Sequence, residues 1–196
     1  MKRYTVGLTG ASGIIYGITL IRELLAQGCE VHVVVSRAAG LVMQQEQGWQ
    51  PGENAGQALD SLQSCYPCLI SYGNDDIAAP IASGSYLTEA MIIMPCTMST
   101  ISALACGSSS SLMERAADVM LKENRPLVVV PRETPLSTIH IRNMLQLAEA
   151  GARIVPAMPA FYHNPRGIQD LVDFMVGKVL DILKIPHQMF SRYGEN

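Results

Sequence analysis

Apolar residues along this chain come in two alternating patterns: short solid blocks, and longer stripes with helical spacing. Tyr4–Thr9 is a short block, and Gly10-Ala11-Ser12-Gly13 then opens a stripe that predicts a helix over Ile14–Gln27, stopped by Gly28. In Glu30–Val35 the β-branched run of Val31, Val33, Val34 and Val35 predicts a strand buried on both faces. Ser36 follows, and Arg37–Gln47 reads as a second helix. Met91–Met94 is the next buried strand, ending at Pro95-Cys96, with a short helix over Thr97–Ala105. After the loop Gly107–Ser111, the spacing of Ser111 and Glu114 forms a capping box for a helix running to Asn124. Leu127–Val130 is a further core strand, and Thr134 and Pro135 suit the N-cap and first position of a helix ending near Gly151. Ile154–Val155 is a last short strand. Ile168, Leu171, Val172, Met175, Val176, Val179, Leu180 and Leu183 complete one stripe of a final helix. From Trp49 to about Asp76 no period is visible, and an irregular excursion is predicted over about 50–75.

Strands alternating with helices predict a doubly wound α/β fold, a mainly parallel sheet sandwiched by helices in the Rossmann-like or flavodoxin-like manner. One domain over 1–196 is expected, with a terminal helix and tail over 168–196. Composition narrows the function. Hydrophobic residues make up 48% and charged ones 16%, which excludes disorder. A net charge of -3 gives no basic surface for a nucleic-acid backbone. Apolar runs fall far short of the roughly 18 residues of a membrane span, and no secretory signal is read before Gly7 and Gly10, so a cytoplasmic location is expected. Five cysteines at irregular spacing make no disulfide framework; Cys29, Cys96 and Cys106 read as buried thiols. Cys65 and Cys68 form a lone C-x-x-C. His32, His140, His163 and His187 are scattered, so no metal site is expected.

In such folds ligands bind outside the carboxyl ends of the strands. The unusual residues of this chain fall there: Gly10–Gly13, Ser36, Pro95–Thr100, Arg132-Glu133 and Tyr162-His163. Glycines 7, 10 and 13 have G-x-x-G-x-x-G spacing, which serves either as a tight strand-to-helix turn or as an anion-binding helix start with Ser12 as cap or ligand. Arg132 can clamp a phosphate and Glu133 can shuttle protons, or the two form a solvated ion pair at a helix start. Arg115 and Lys122, seven apart on one helix, form either a solvated face paired with Asp118 or Glu123 or a cationic face for a partner's site.

Together these segments resemble the flavin prenyltransferase family (UbiX type). The likeness runs from Lys2 to about Tyr193 outside the excursion, through VGLTGASGIIYG at 6–17, VVSRAA at 34–39, ASGS at 82–85, MPCTMST at 94–100, ERAADVMLKENRPLVVVPRETPL at 114–136 and PAMPAFYHNP at 156–165. The resemblance implies an enzyme that joins a dimethylallyl group from dimethylallyl monophosphate to reduced FMN without a metal. The product, prenylated FMN, would serve a partner decarboxylase. It implies that Gly10, Ala11, Ser12, Ser36, Thr97, Met98, Ser99, Thr100 and Arg132 hold FMN. Tyr162, Lys178, Arg115, Lys122 and Tyr193 would meet the prenyl phosphate, and Glu133, Ser12, Glu46 and Lys122 would act in the chemistry, with Glu133 the proton shuttle.

The chain departs from the family pattern at three positions. Lys178 stands where many members have Arg, Ser99 where many have Lys, and Tyr193 where many have Trp. The family assembles as a dodecamer, which would bury the apolar surplus and bring Arg115 and Lys122 to a neighbour's site. A flavin-dependent cysteine decarboxylase of the same superfamily is the nearest rival; it carries Pro-Ala-Ser-Ala-Asn-Thr where this chain has Pro-Cys-Thr-Met-Ser-Thr. A non-catalytic FMN carrier is the other.

Overall fold

The computed structural model describes residues 1–48, 59–192 and 194. Its strands are β1 (Arg3–Leu8), β2 (Glu30–Val35), β3 (Leu69–Gly73), β4 (Ala90–Cys96), β5 (Leu127–Pro131) and β6 (Arg153–Ile154). The helices are α1 (Ile14–Ala26), α2 (Arg37–Gln47), α3 (Asp60–Cys65), α4 (Met98–Ala105), α5 (Leu112–Lys122), α6 (Thr138–Glu149) and α7 (Ile168–Ile182). All strand pairs are parallel, and the order across the sheet is β3-β2-β1-β4-β5-β6. The chain therefore starts in the middle, winds outward to β3, returns beside β1 as β4 and winds outward again. The reversal between β1 and β4 opens a crevice at the carboxyl ends of those two strands.

Alternation along each strand feeds two cores. Tyr4, Val6, Leu8, Val31, Val33, Val35, Ala90, Ile92, Met94, Val128 and Val130 face α1, α2 and α7. Val34, Met91, Ile93, Cys96, Leu127 and Val129 face α4, α5 and Leu147 of α6. Each fully buried Val, Ile or Leu contributes about 1.5–3 kcal/mol of transfer free energy before chain ordering is set against it. Helix α1 lies close on the sheet because residue 17 is glycine; a methyl there would overlap the Met94 carbonyl oxygen.

Three expectations need correction. The stretch predicted as irregular contains α3 and the edge strand β3, which pairs with β2 from Val31↔Leu69 to Val35↔Gly73; the rest of the excursion lies outside the described residues. The helix placed at Thr134 and Pro135 starts instead at Thr138. There the Ser137 hydroxyl accepts from His140 N and His140 Nδ1 accepts from Ser137 N, a reciprocal cap that Thr134 does not offer. At α5 the Ser111 hydroxyl caps Glu114 N as expected. The Glu114 carboxylate also reaches further back, taking Ser108 Oγ at 2.7 Å and the amide and hydroxyl of Ser110. Burial pushes the Glu114 carboxyl up, but these donors outweigh it and hold it below its usual range. Finally, Cys29 and Cys96 are buried thiols but Cys106 is exposed, because it lies past the end of α4.

His32, fully buried on β2, anchors the β3 side of the sheet. Its Nδ1 meets Tyr72 Oη at 2.9 Å and its Nε2 meets Glu30 Oε1 at 2.8 Å, while Arg3 Nε donates to the same carboxylate oxygen at 2.8 Å. Burial lowers the His32 pKa and raises that of Tyr72 to about 12.

Candidate active site

The crevice between β1 and β4 is closed at its floor by one buried threonine. Thr9 Oγ1 donates to Pro95 O at 2.8 Å and accepts from Thr97 N at 2.9 Å, joining the carboxyl ends of the two strands. Thr97 in turn caps α4, accepting from Thr100 N at 3.2 Å, and its hydroxyl lies 3.0 Å from that of Thr100. Ser36 N donates to Leu8 O, and the Ser36 hydroxyl accepts from Ala39 N to start α2. Four expected groups, the Gly10–Gly13 loop, Ser36, Thr97 and Thr100, thus share one rim.

Helix α2 runs along this rim beside the β1–α1 loop. At its first turn Ala38 fills the space where a Gly10 side chain would stand. At its last turn Glu46 meets the start of α1, where the carboxylate accepts from Gly13 N at 3.0 and 3.1 Å and from Ile14 N at 3.0 Å. Gly13 adopts the left-handed conformation, with φ 94°, that aims these amides outward.

Arg132 enters from the end of β5. Its amide donates to Cys96 O, and its Nε donates to Ser12 O at 3.2 Å. That contact spans the crevice from β5 to the β1–α1 loop. Arg132 also lies near enough to Tyr16 to draw its pKa down against the upward push of burial, which prevails. Glu133 makes no ion pair with Arg132 among the described residues; its carboxylate is exposed and accepts from Thr134 N at 3.0 Å. Both line a recess of about 280 Å³ with Leu136, Met144, Pro156 and Met158 among its walls.

The remaining predicted residues lie apart. Met98 faces the second core, 8% exposed, so only its main chain is available at the rim, whereas Ser99 is exposed beside it. Ala11 is buried, and Ser12 is exposed. Helix α5 starts at the carboxyl edge, where Asn74 accepts from Leu112 N and Met113 N, and it descends to the amino edge. Arg115 is therefore near the rim and Lys122 about 10 Å along the helix from it. Both are exposed, and neither makes an ion pair among the described residues; Glu123 meets Arg125 instead, at 3.9 Å. Tyr162 packs edge-on against Phe174 of α7, and Lys178 is exposed one turn further along that helix. Tyr193 lies outside the described residues.

Sequence reasoning missed two contributors. Thr9 had a readable signal, a hydroxyl closing an apolar strand. Tyr16 had none. His163, whose two ring nitrogens are buried without a hydrogen-bond partner among the described residues, stacks on Phe174 at 5.1 Å, next to Phe190. Among the described residues no cluster of His, Cys, Asp or Glu could hold a metal ion, and no helix is long and apolar enough to cross a membrane.

Comparison with known proteins gives the family. Residues 1–181 match the model of the Flavoprotein family. Over 193 residues the chain is 50% identical to the flavin prenyltransferase UbiX of Halalkalibacterium halodurans, covering 98% of this chain and 93% of that protein. The chain belongs to the flavin prenyltransferase family. Among solved members and neighbours, AnUbiX (PadA1) in complex with FMN and dimethylallyl pyrophosphate superposes with a TM-score of 0.90 at 39% identity, covering 98% of this chain and 97% of that one. A dodecameric FMN-dependent UbiX-like decarboxylase from Escherichia coli O157:H7 superposes with a TM-score of 0.87 at 40% identity, covering 97% and 98%. In this member of the family the six parallel strands frame the β1/β4 crevice.

Proposed function

We propose that this chain is a flavin prenyltransferase that moves a dimethylallyl group from dimethylallyl monophosphate to reduced FMN. The observation that carries this reading is the convergence of hydrogen-bond donors on the β1/β4 crevice: the Arg132 guanidinium across Ser12, the Ser12, Ser36, Thr97 and Thr100 hydroxyls, and the amides that begin α1. A donor set this rich fits a flavin phosphate and flavin carbonyl oxygens, and Gly10, Ala11, Ser12, Ser36, Thr97, Met98 and Ser99 (through their main chain), Thr100 and Arg132 would hold FMN. When bound, reduced FMN would supply the nucleophilic N5 and a carbon of its dimethylbenzene edge to receive the five-carbon unit.

The chain's own residues supply the rest. Breaking the allylic carbon–oxygen bond leaves the electron pair on phosphate, so cations must surround it. Arg115, Lys122 and Lys178 supply that charge in this reading, with Ser12 and Tyr162, and Tyr193 by family likeness, beside the prenyl group. Because Arg115 and Lys122 lie on the exposed face of α5, they serve a neighbouring copy in a homo-oligomer, a dodecamer like the E. coli UbiX-like protein. Glu133 accepts the proton released as the second bond closes, and Glu46 stands at the start of α1 on the same rim. Prenylated FMN is then passed to a decarboxylase that uses it, and no metal enters the scheme.

The test is to incubate the protein with reduced FMN and dimethylallyl monophosphate without added metal and weigh the extracted flavin. Gain of one five-carbon unit is expected; unchanged FMN with both the monophosphate and the pyrophosphate sinks the reading. Glu133→Gln is expected to retain FMN while prenylation slows by roughly 10²–10⁴-fold. Undiminished turnover would remove Glu133 from the mechanism.

A further inference from the structure

Helix α5 is gripped at both ends by the segment that joins β3 to β4. At its start, Leu112 N donates to Asn74 O at 2.9 Å and Met113 N donates to Asn74 Oδ1 at 3.0 Å. Asn74 sits in the turn after β3, 39 positions from Met113, so these bonds tie the first turn to the sheet. The buried Met113 side chain lies over Gly7 of β1 and rests the same turn on the sheet face. At the other end Asn124 takes the left-handed conformation, with φ 54°, and the helix stops. Arg125 follows, its side chain only 15% exposed. It donates through Nη1 to Tyr86 O at 3.1 Å and through Nη2 to Gly84 O at 2.6 Å. Gly84, the glycine of Ala82–Ser85, has no room for a side chain, because Glu123 fills the space where it would stand.

Between the two grips Arg115, Asp118 and Lys122 follow one another along the exposed stripe of the helix. The place of their charge is set by the helix, and the place of the helix by its ends. We propose that Asn74 and Arg125 are positioning residues for the prenyl donor: they set α5, and through it Arg115 and Lys122, where these cations meet the donor phosphate in a neighbouring copy. This deepens the reading given under Proposed function and rests on it. Neither residue touches a ligand. Asn74 acts at the Arg115 end and Arg125 at the Lys122 end. The side chains suit the task. Asn74 offers an acceptor oxygen without adding a third carboxylate beside the exposed Asp75 and Asp76, where it would compete with phosphate for Arg115. The Arg125 fork takes two carbonyls at fixed angles, which a lysine cannot do. FMN is held by the β1/β4 rim, so loosening α5 acts on the donor and leaves the flavin alone.

Calorimetry tests this without relying on turnover. Dimethylallyl monophosphate is titrated into the FMN-loaded parent, Asn74→Ala, Asn74→Asp and Arg125→Lys, and FMN affinity is measured for each. Asn74→Ala is expected to weaken the monophosphate by roughly 3- to 10-fold and to leave FMN affinity unchanged. Asn74→Asp keeps the acceptor oxygen and should restore binding to within about threefold of the parent, while Arg125→Lys should fall between the two. Amide hydrogen exchange at Met113 should quicken in Asn74→Ala and return in Asn74→Asp. In an Arg115→Ala background, Asn74→Ala should cost nothing further, because the residue through which it acts is already gone. Unchanged monophosphate affinity in both Asn74→Ala and Arg125→Lys overturns the proposal. So does a parallel loss of FMN affinity, which marks a general fold defect, or a full Asn74→Ala effect without Arg115. A parent that does not bind the monophosphate overturns it too. A parent that binds it, shows these variant effects and never prenylates FMN fails the functional reading and leaves the positioning role standing.

Discussion

The rim of the crevice and the candidate residues that lie apart from it are built differently. On the β1/β4 side the groups are wired to one another through the main chain: Thr9 to Pro95 and Thr97, Ser36 to Ala39, Arg132 to Ser12 and Cys96, Glu46 to Gly13 and Ile14. Away from the rim, Arg115, Lys122, Tyr162 and Lys178 stand on exposed helix and loop surfaces, and the two α5 cations have no ion-pair partner among the described residues. The first set is preorganised within one chain and costs little further ordering when a ligand arrives. The second set is not tied into that network, and the proposed function assigns its cations to a neighbouring copy.

The largest test of this contrast is complementation. Lys122→Ala and Glu133→Gln should each lower prenylation by about 10²-fold or more. Co-expressed, they should regain activity at about a quarter of the sites if Lys122 works on a neighbour's crevice, since random pairing then unites two intact residues. No recovery in mixed assemblies would put Lys122 back in its own chain's site. Next in size is Thr9→Val, which leaves the Thr97 amide unpaired and the Pro95 carbonyl with the Thr9 amide alone, at 3.3 Å. It is expected to cost about 1–3 kcal/mol by urea unfolding and to weaken FMN binding. Lys178→Ala, away from the rim, is expected to change stability by less than about 0.5 kcal/mol while raising KM for the prenyl donor. A stability loss equal to that of Thr9→Val would erase the distinction.

The smallest effect concerns the tail. Hydrogen bonds from Arg192, then His187, hold the Asp181 carboxyl below its usual range despite some burial. A depressed carboxyl contributes stability above its unfolded pKa, near 3.9, and loses it as pH falls through the lower folded value. Asp181→Asn should flatten the acid limb of the stability profile below about pH 4, by well under 1 kcal/mol because Asp181 and Arg192 are partly exposed. An unchanged acid limb would show that the tail contact is not made in solution.

Where local chemistry decides structure, the chain could be read directly. The bounds of β2 and α2 are those expected, because a solid valine run and the Ser36 cap leave no competing choice. Strand β3 could not be read, since Leu69 alone is buried and the other four residues are half-exposed; pairing with β2 makes it a strand. At α6 the Thr134-Pro135 signal was the stronger one on paper, and the mutual cap of Ser137 and His140 prevailed. The rim residues were recognisable by type and by family likeness. What could not be read was their wiring, because Glu46 reaches α1 only through the course of α2 along the rim, and Arg132 reaches Ser12 only through the β1-β4-β5 neighbourhood of the sheet.

The ends of the sheet carry a consequence of their own. At one margin β6 contributes two residues, and at the other β3 contributes five, clasped by Tyr72 to His32. Margins this short offer a second chain few main-chain groups to pair with, so sheet-to-sheet growth is discouraged even in a molecule that is 48% hydrophobic. Contact between copies is left to side chains on the helices, where Ile139, Ile141 and Leu145 of α6 lie exposed. Sheet-edge pairing, one route to open-ended fibres, is thereby disfavoured.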